Sequence, residues 1–150
     1  MSFGMYDAFY GACEALDARP DVRVVIIRGG GGTFIAGTDI REFLNFRSDE
    51  DALAYERRID AVVGRLERMT KVTIAMIEGP ATGGGFTMAL ACDLRYAAST
   101  ARLGVPIART LGNCLSMTNY GRLVDAVGSA RAKELLLTAR ADPTASTSRP

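Results

Sequence analysis

The chain has 150 residues, of which 48% are hydrophobic and 23% charged, with a formal net charge of +1. That is enough for one domain with a core, and an even charge balance without a basic block gives no grip for nucleic acid or an anionic membrane. No apolar run reaches membrane-spanning length and the first residues do not read as a signal peptide, so cytoplasm is the expected compartment. The three cysteines, Cys13, Cys92 and Cys114, are odd in number and lack CxxC spacing, which argues against a disulfide framework or a structural zinc site; no metal is expected. Histidine is absent. Its absence removes Ser-His and Cys-His nucleophilic pairs and the commonest general base.

Taken in order, Tyr6, Phe9, Cys13 and Leu16 recur every three or four residues and predict a helix over Met5 to Ala18. A turn at Pro20 leads into Val22 to Arg28, a β-branched run that reads as a strand buried on both faces, ending in a mobile loop at Gly29 to Gly32. Within Thr33 to Phe43, Asp39 is placed to cap a short helix. The acidic segment Ser48-Asp49-Glu50-Asp51 opens the longest helix and suits its dipole. Ile59, Val62, Val63, Leu66 and Met69 form that helix's buried stripe, with Arg57, Arg58, Arg65 and Arg68 on a solvated face.

A strand over Val72 to Ile77 then breaks at Gly79-Pro80, and Gly83-Gly84-Gly85 lead into the apolar helix Phe86 to Cys92. Strand, glycine turn and helix start bring free backbone N–H groups and a positive dipole end to one point, where glycine lets a ligand approach the main chain. Taken alone, the same pattern also fits an ordinary tight turn. Leu94 to Ala98 and Ala101 to Pro106 read as short extended pieces, and Leu115 to Val127 and Ser129 to Ala139 as helices divided at Gly128. Residues 1–140 therefore form the core, and 141–150, without apolar period, a loose tail. Alternating strands and helices imply an α/β fold with a largely parallel sheet.

The pair of glycine-marked helix starts, Ala36-Gly37-Thr38-Asp39-Ile40 and Gly83-Gly84-Gly85, stands in order with the strand Val22 to Ile27 and with Ala91-Cys92-Asp93-Leu94. Together with Arg131 to Thr138, these resemble the enoyl-CoA hydratase/isomerase (crotonase) superfamily from about Met5 to Ala139. The resemblance implies a ClpP/crotonase spiral of ββα units and lyase or isomerase chemistry, as in fatty acid metabolism, on an acyl-CoA thioester. It implies no cofactor beyond the substrate's coenzyme A moiety. In the family, two backbone N–H groups form an oxyanion hole for the thioester oxygen; by motif position these are the N–H groups of Thr38 and Gly84. Ala36, Asp39 and Ile40 resemble the loop that holds the adenine end of coenzyme A, although plain helix capping also accounts for Thr38 and Asp39.

The departures from the family pattern concern proton transfer. The two positions where family hydratases carry glutamates are Thr87 and Ile107, and neither side chain titrates near neutral pH. Asn113 and Cys114 lie in a loop where some relatives place catalytic groups, though a small buried apolar role is the ordinary use of cysteine. Asp93 reads as a helix-terminus or turn residue, and Glu78 sits in the loop before Gly79-Pro80, near the expected site. The chain also resembles a family member incomplete at both termini, without the opening strands or the C-terminal helices. An exposed edge, apolar faces and poor solubility are expected, and the family's homotrimer or hexamer becomes doubtful.

Two readings follow from the resemblance. One is an enzyme whose oxyanion hole does most of the work; the other is a catalytically silent acyl-CoA-binding or assembly subunit. A nucleotide-binding α/β protein would need a GxGxxG or Walker lysine pattern that neither glycine run carries. A serine peptidase of the related ClpP-like fold lacks its histidine.

Overall fold

A computed structural model describes residues 1–107, 114–139 and the backbone of 141–143. Helix α1 spans Phe3–Asp17, with Ser2 Oγ accepting the Met5 N–H at 3.3 Å, and it buries Tyr6 and Cys13. Strand β1 (Val24–Arg28) follows, then a 3-10 turn over Ile40–Asn45 capped by the Asp39 side chain. Helix α2 (Asp49–Glu67) starts where the Ser48 N–H donates to Asp51 Oδ2 at 3.0 Å. This reciprocal cap and three acidic residues in the first turn fix the start of the longest helix, as the sequence implies.

Strands β2 (Val72–Ile77) and β3 (Pro80–Thr82) lead into helix α3 (Gly84–Ala91). After it come β4 (Leu94–Ala97), β5 (Arg102–Gly104), helices α4 (Met117–Val127) and α5 (Ser129–Thr138), and β6 (Ala141–Pro143). One sheet has the order β1-β2-β4 and is parallel throughout, with Val24 opposite Val72 and Ile74 opposite Leu94. The second has the order β3-β5-β6, parallel between β3 and β5 and antiparallel between β5 and β6. An isolated parallel bridge between Ile35 and Ala81 ties the loop after β1 to β3.

The core lies between the helices and one face of the first sheet. Helix α2 packs against both α1 and α3. Helix α3 buries Phe86, Thr87, Met88 and Ala89, so it is apolar nearly all round, as expected of a short helix at the centre of a domain. It is the element on which the site is built.

Three expectations need correction. Strand β1 is not buried on both faces: Val24 and Ile26 are 49% and 58% exposed. The register places Val72, Met76, Leu94 and Tyr96 on the same open side, because among the described residues helices cover only the other side. Arg65 is not part of a solvated face: its Nη2 lies 2.7 Å from Asp17 Oδ2, with both side chains largely covered, joining α2 to the end of α1. Ala141–Pro143 are not loose but pair with β5, Leu103 standing opposite Asp142. Ala139, with φ 50°, turns the chain out of α5, and the edge of β5 supplies unpaired backbone groups that a search for apolar periodicity does not register. The rest of the expected tail, residues 144–150, lies outside the described residues. Among the described residues, no helix is long and apolar enough to cross a membrane.

Candidate active site

The site begins with the backbone between β3 and α3. Gly83 has φ 54° and ψ −125°, a conformation open to glycine and costly for other residues. Its N–H donates to the Gly104 carbonyl at 3.0 Å, and its own carbonyl accepts the Thr87 N–H at 3.2 Å. Gly85 lies against the strand-like segment at Ile35, where a β-carbon would come within 1.9 Å of the Ile35 carbonyl oxygen. Thr82 closes the same junction, its N–H donating to Ile35 O and its Oγ1 to Ala36 O, each at 3.0 Å.

These contacts hold the loop carrying Thr38 beside the first turn of α3. A β-carbon built on Gly84 would lie 2.9 Å from the Tyr6 hydroxyl and 4.0 Å from Thr38 Oγ1. Gly84 is the first residue of α3, so its N–H has no partner within the helix. Among the described residues, neither the Gly84 N–H nor the Thr38 N–H meets an acceptor. Two main-chain N–H groups without an acceptor among the described residues thus lie on neighbouring segments, that of Gly84 at the positive end of a helix.

Thr38 is fixed by a chain of hydroxyls. Its Oγ1 lies 2.9 Å from the Tyr6 hydroxyl and 2.7 Å from the Tyr55 hydroxyl. Tyr6 is fully buried and burial raises its pKa; burial pushes Tyr55 up to about 12. Both phenols stay neutral, so the chain positions Thr38 without bringing a charge. Tyr55 also meets Phe43 edge to face, with ring centroids 4.9 Å apart, and this aromatic cluster stiffens the wall between the 3-10 turn and α2.

A cavity of about 770 Å³ opens over Gly83, Gly84 and Thr87. Phe43, Phe46 and Tyr55 form one wall, Ile107 and Leu115 another. Helix α2 contributes Asp49, Ala52, Leu53, Glu56 and Ile59, spaced so that they share one side of the helix.

Of the expected site residues, Gly84, Thr87 and Ile107 line this cavity; Thr38 does not, and its side chain is tied to the wall by the hydrogen bond to Tyr55. Thr87 is buried and its Oγ1 donates back to the Gly83 carbonyl at 3.3 Å; Ile107 is half-buried and apolar. Neither offers a proton near neutral pH. Ala36 lines a separate cavity of about 600 Å³ on the side of α1 and β1. Asp39 caps the 3-10 turn and is forked by Arg41, which holds its carboxyl down at about 2. Ile40 is 66% exposed beside it, and neither residue lines either cavity.

Asp93 has the structural role expected of it, its Oδ2 accepting the Thr73 N–H at 2.7 Å and the Thr73 hydroxyl at 2.9 Å. Glu78 is paired with Arg28 at 3.4 Å and does not line the cavity. Cys114 is exposed and lines the cavity, contrary to a buried packing role, while Asn113 lies outside the described residues. The residues that sequence reasoning passed over are Tyr6, Tyr55 and Glu56. Glu56 carried a legible signal: it stands three residues before Ile59 and seven before Val63, a carboxylate on the buried stripe itself.

The profile of the enoyl-CoA hydratase/isomerase family matches residues 1–148. A Bacillus subtilis protein named "Probable enoyl-CoA hydratase" is 41% identical over 115 residues, covering 77% of this chain and 44% of that protein. The mitochondrial methylglutaconyl-CoA hydratase of Rattus norvegicus is 39% identical over 130 residues, covering 86% of this chain and 41% of that one. Among solved structures, an enoyl-CoA hydratase/carnithine racemase from Magnetospirillum magneticum superposes with a TM-score of 0.91 at 31% identity, covering 96% of this chain and 54% of that chain. The chain thus spans about half the length of the curated relatives it matches.

Proposed function

Because the chain belongs to the enoyl-CoA hydratase/isomerase family, we propose that its cavity takes an acyl-CoA thioester and holds the carbonyl oxygen between the N–H groups of Thr38 and Gly84. The observation that supports this reading is that the Gly84 and Thr38 N–H groups lack acceptors among the described residues, with Gly84 lining an apolar-walled cavity and Thr38 beside it. Donors fixed before the reaction stabilise charge as it develops on oxygen and need no reorganisation, an effect worth roughly 10²–10³ in rate for one donor. The reaction class is enolate formation at the acyl α-carbon. Thr87 and Ile107 stand where family hydratases carry their acid/base glutamates, so the proton moves without help from either position. The segment with Ala36 and Ile40 exposed and Asp39 half-buried is assigned the adenine end of coenzyme A, and the family's trimer would bring further walls to the site.

The test is calorimetric titration with a non-reactive acyl-CoA thioether, comparing the parent chain with two variants. Gly84→Ala adds a β-carbon but keeps the N–H; Gly84→Pro adds the ring and removes the N–H at a helix position that tolerates proline. Saturable binding by the parent chain and measurably weaker binding by Gly84→Pro than by Gly84→Ala are expected. Absence of saturable binding to the parent chain would overturn the reading.

A further inference from the structure

With the family's two proton-transfer positions occupied by Thr87 and Ile107, any proton acceptor must come from another part of the cavity wall. Helix α2 supplies two carboxylates to the wall opposite α3, Asp49 and Glu56. Asp49 is exposed to solvent in the first turn of α2, at the rim of the cavity. Asp60, one turn beyond Glu56, does not line the cavity and is engaged elsewhere: its Oδ1 accepts from Ser116 Oγ and Asn119 Nδ2, each at 3.2 Å.

Glu56 differs from both. It is half-buried, lines the cavity with Gly83, Gly84 and Thr87, and has no hydrogen bond or ion pair among the described residues. We propose that Glu56 is the proton acceptor of this site, acting from α2 across the cavity in place of the positions on α3 and after β5. The proposal rests on the thioester reading above. In the step, the acyl Cα–H bond breaks and its proton forms an O–H bond on the Glu56 carboxylate. The C–H electron pair becomes the enolate double bond, and the carbonyl π pair moves onto the oxygen held by Thr38 and Gly84. Return of the proton to carbon reverses each change, so no oxidant, metal or other reactant is required.

The electrostatic setting agrees with this role. Burial raises the Glu56 carboxyl above the ordinary glutamate range, and the negative charge of Asp60 adds to it. A base of higher pKa has more driving force to take a proton from carbon. Among the described residues, the other titratable groups around it are Asp49, Tyr55 and Asp60 on its own helix and Cys114 ahead of α4; α3 contributes none. Arg122, on α4, is held by Glu67 and Asn119.

The test measures solvent deuterium entering the α-carbon of phenylacetyl-CoA, which has an acidic CH₂ and no leaving group at the neighbouring carbon. The parent chain should exchange, and Glu56→Gln should exchange at least roughly 10²-fold more slowly, the lower end of the usual scale for loss of a positioned base. Binding of the non-reactive thioether should survive in Glu56→Gln, which also shows that the variant is folded. Glu56→Asp should keep a slower exchange. The parent rate should fall with acid through a pKa above that of ordinary glutamate, and this feature should vanish in Glu56→Gln. A parent chain that binds the thioether without exchange, or a Glu56→Gln variant that exchanges as fast as the parent, overturns the assignment of Glu56 while leaving the thioester reading intact. Failure of the parent chain to bind the thioether overturns both.

Discussion

Thr38 is held in place by its side chain. Its hydroxyl lies between those of Tyr6 and Tyr55, and Tyr6 is fully buried. Replacing it by valine keeps the shape but leaves the Tyr6 hydroxyl without that partner, a loss of about 1–3 kcal/mol. We expect Thr38→Val to lower the denaturant midpoint accordingly; an unchanged midpoint would mean that the hydroxyl chain does not hold the loop. The sequence marks the segments of Thr38 and Gly84 as lying near helix starts, because short glycine motifs are local signals. It gives no such signal for Tyr6 and Tyr55, because their hydroxyls meet Thr38 only after two helices have packed, which no spacing along the chain records.

Asp17 is a second residue whose environment makes a measurable prediction. Hydrogen bonds from Arg65 and Thr70 lower its carboxyl to about 2, against about 3.9 for a free aspartate. A depressed folded-state pKa contributes stability that is fully present above the unfolded value and is lost as pH falls through the folded value. Stability should therefore decline between about pH 4 and pH 2, with Asp39, also lowered to about 2 by Arg41, contributing in the same window. Asp17→Asn should flatten the acid limb of an unfolding-free-energy profile. An unaltered slope would show that the Arg65–Asp17 pair is not coupled to folding.

At the scale of elements, the site depends on close approach between the Ile35 segment and α3. Gly85 is where the two backbones meet, and a methyl group there would lie 1.9 Å from a carbonyl oxygen that cannot move as a flexible side chain would. Gly85→Ala should cost at least about 1–3 kcal/mol, the range for overpacking a core, and should lower the melting temperature more than Gly84→Ala, whose β-carbon meets only side-chain hydroxyls. Equal melting temperatures would contradict the tight junction. The glycine run and the helices around it were legible in sequence because apolar period and capping chemistry are local. The three-residue strands β3 and β6 were not, since so short a pairing is decided by the edge it meets. The burial of β1 departs from expectation for a related reason: a continuous β-branched run fits a strand buried on both faces, and only the packing reveals which face the helices reach.

For the molecule as a whole, the open face of the parallel sheet is the dominant surface feature. Val24, Ile26, Val72, Met76, Leu94 and Tyr96 are all substantially exposed on one side of three adjacent strands. Such a contiguous apolar face favours association. The chain by itself should self-associate, and a variant carrying Ile26→Lys and Tyr96→Lys should remain monodisperse at concentrations where the parent does not. A monodisperse parent with a sharp melting transition would contradict this.

A thioester carbonyl held, as proposed, between the N–H groups of Thr38 and Gly84 would report its hydrogen bonds in its own vibration. With a ¹³C-labelled carbonyl in a bound acyl-CoA thioester, infrared difference spectra should show the C=O band shifted to lower frequency by hydrogen bonding. The shift should persist in Gly84→Ala and shrink in Gly84→Pro. A bound thioester whose carbonyl band matches that of the free ligand would contradict the account.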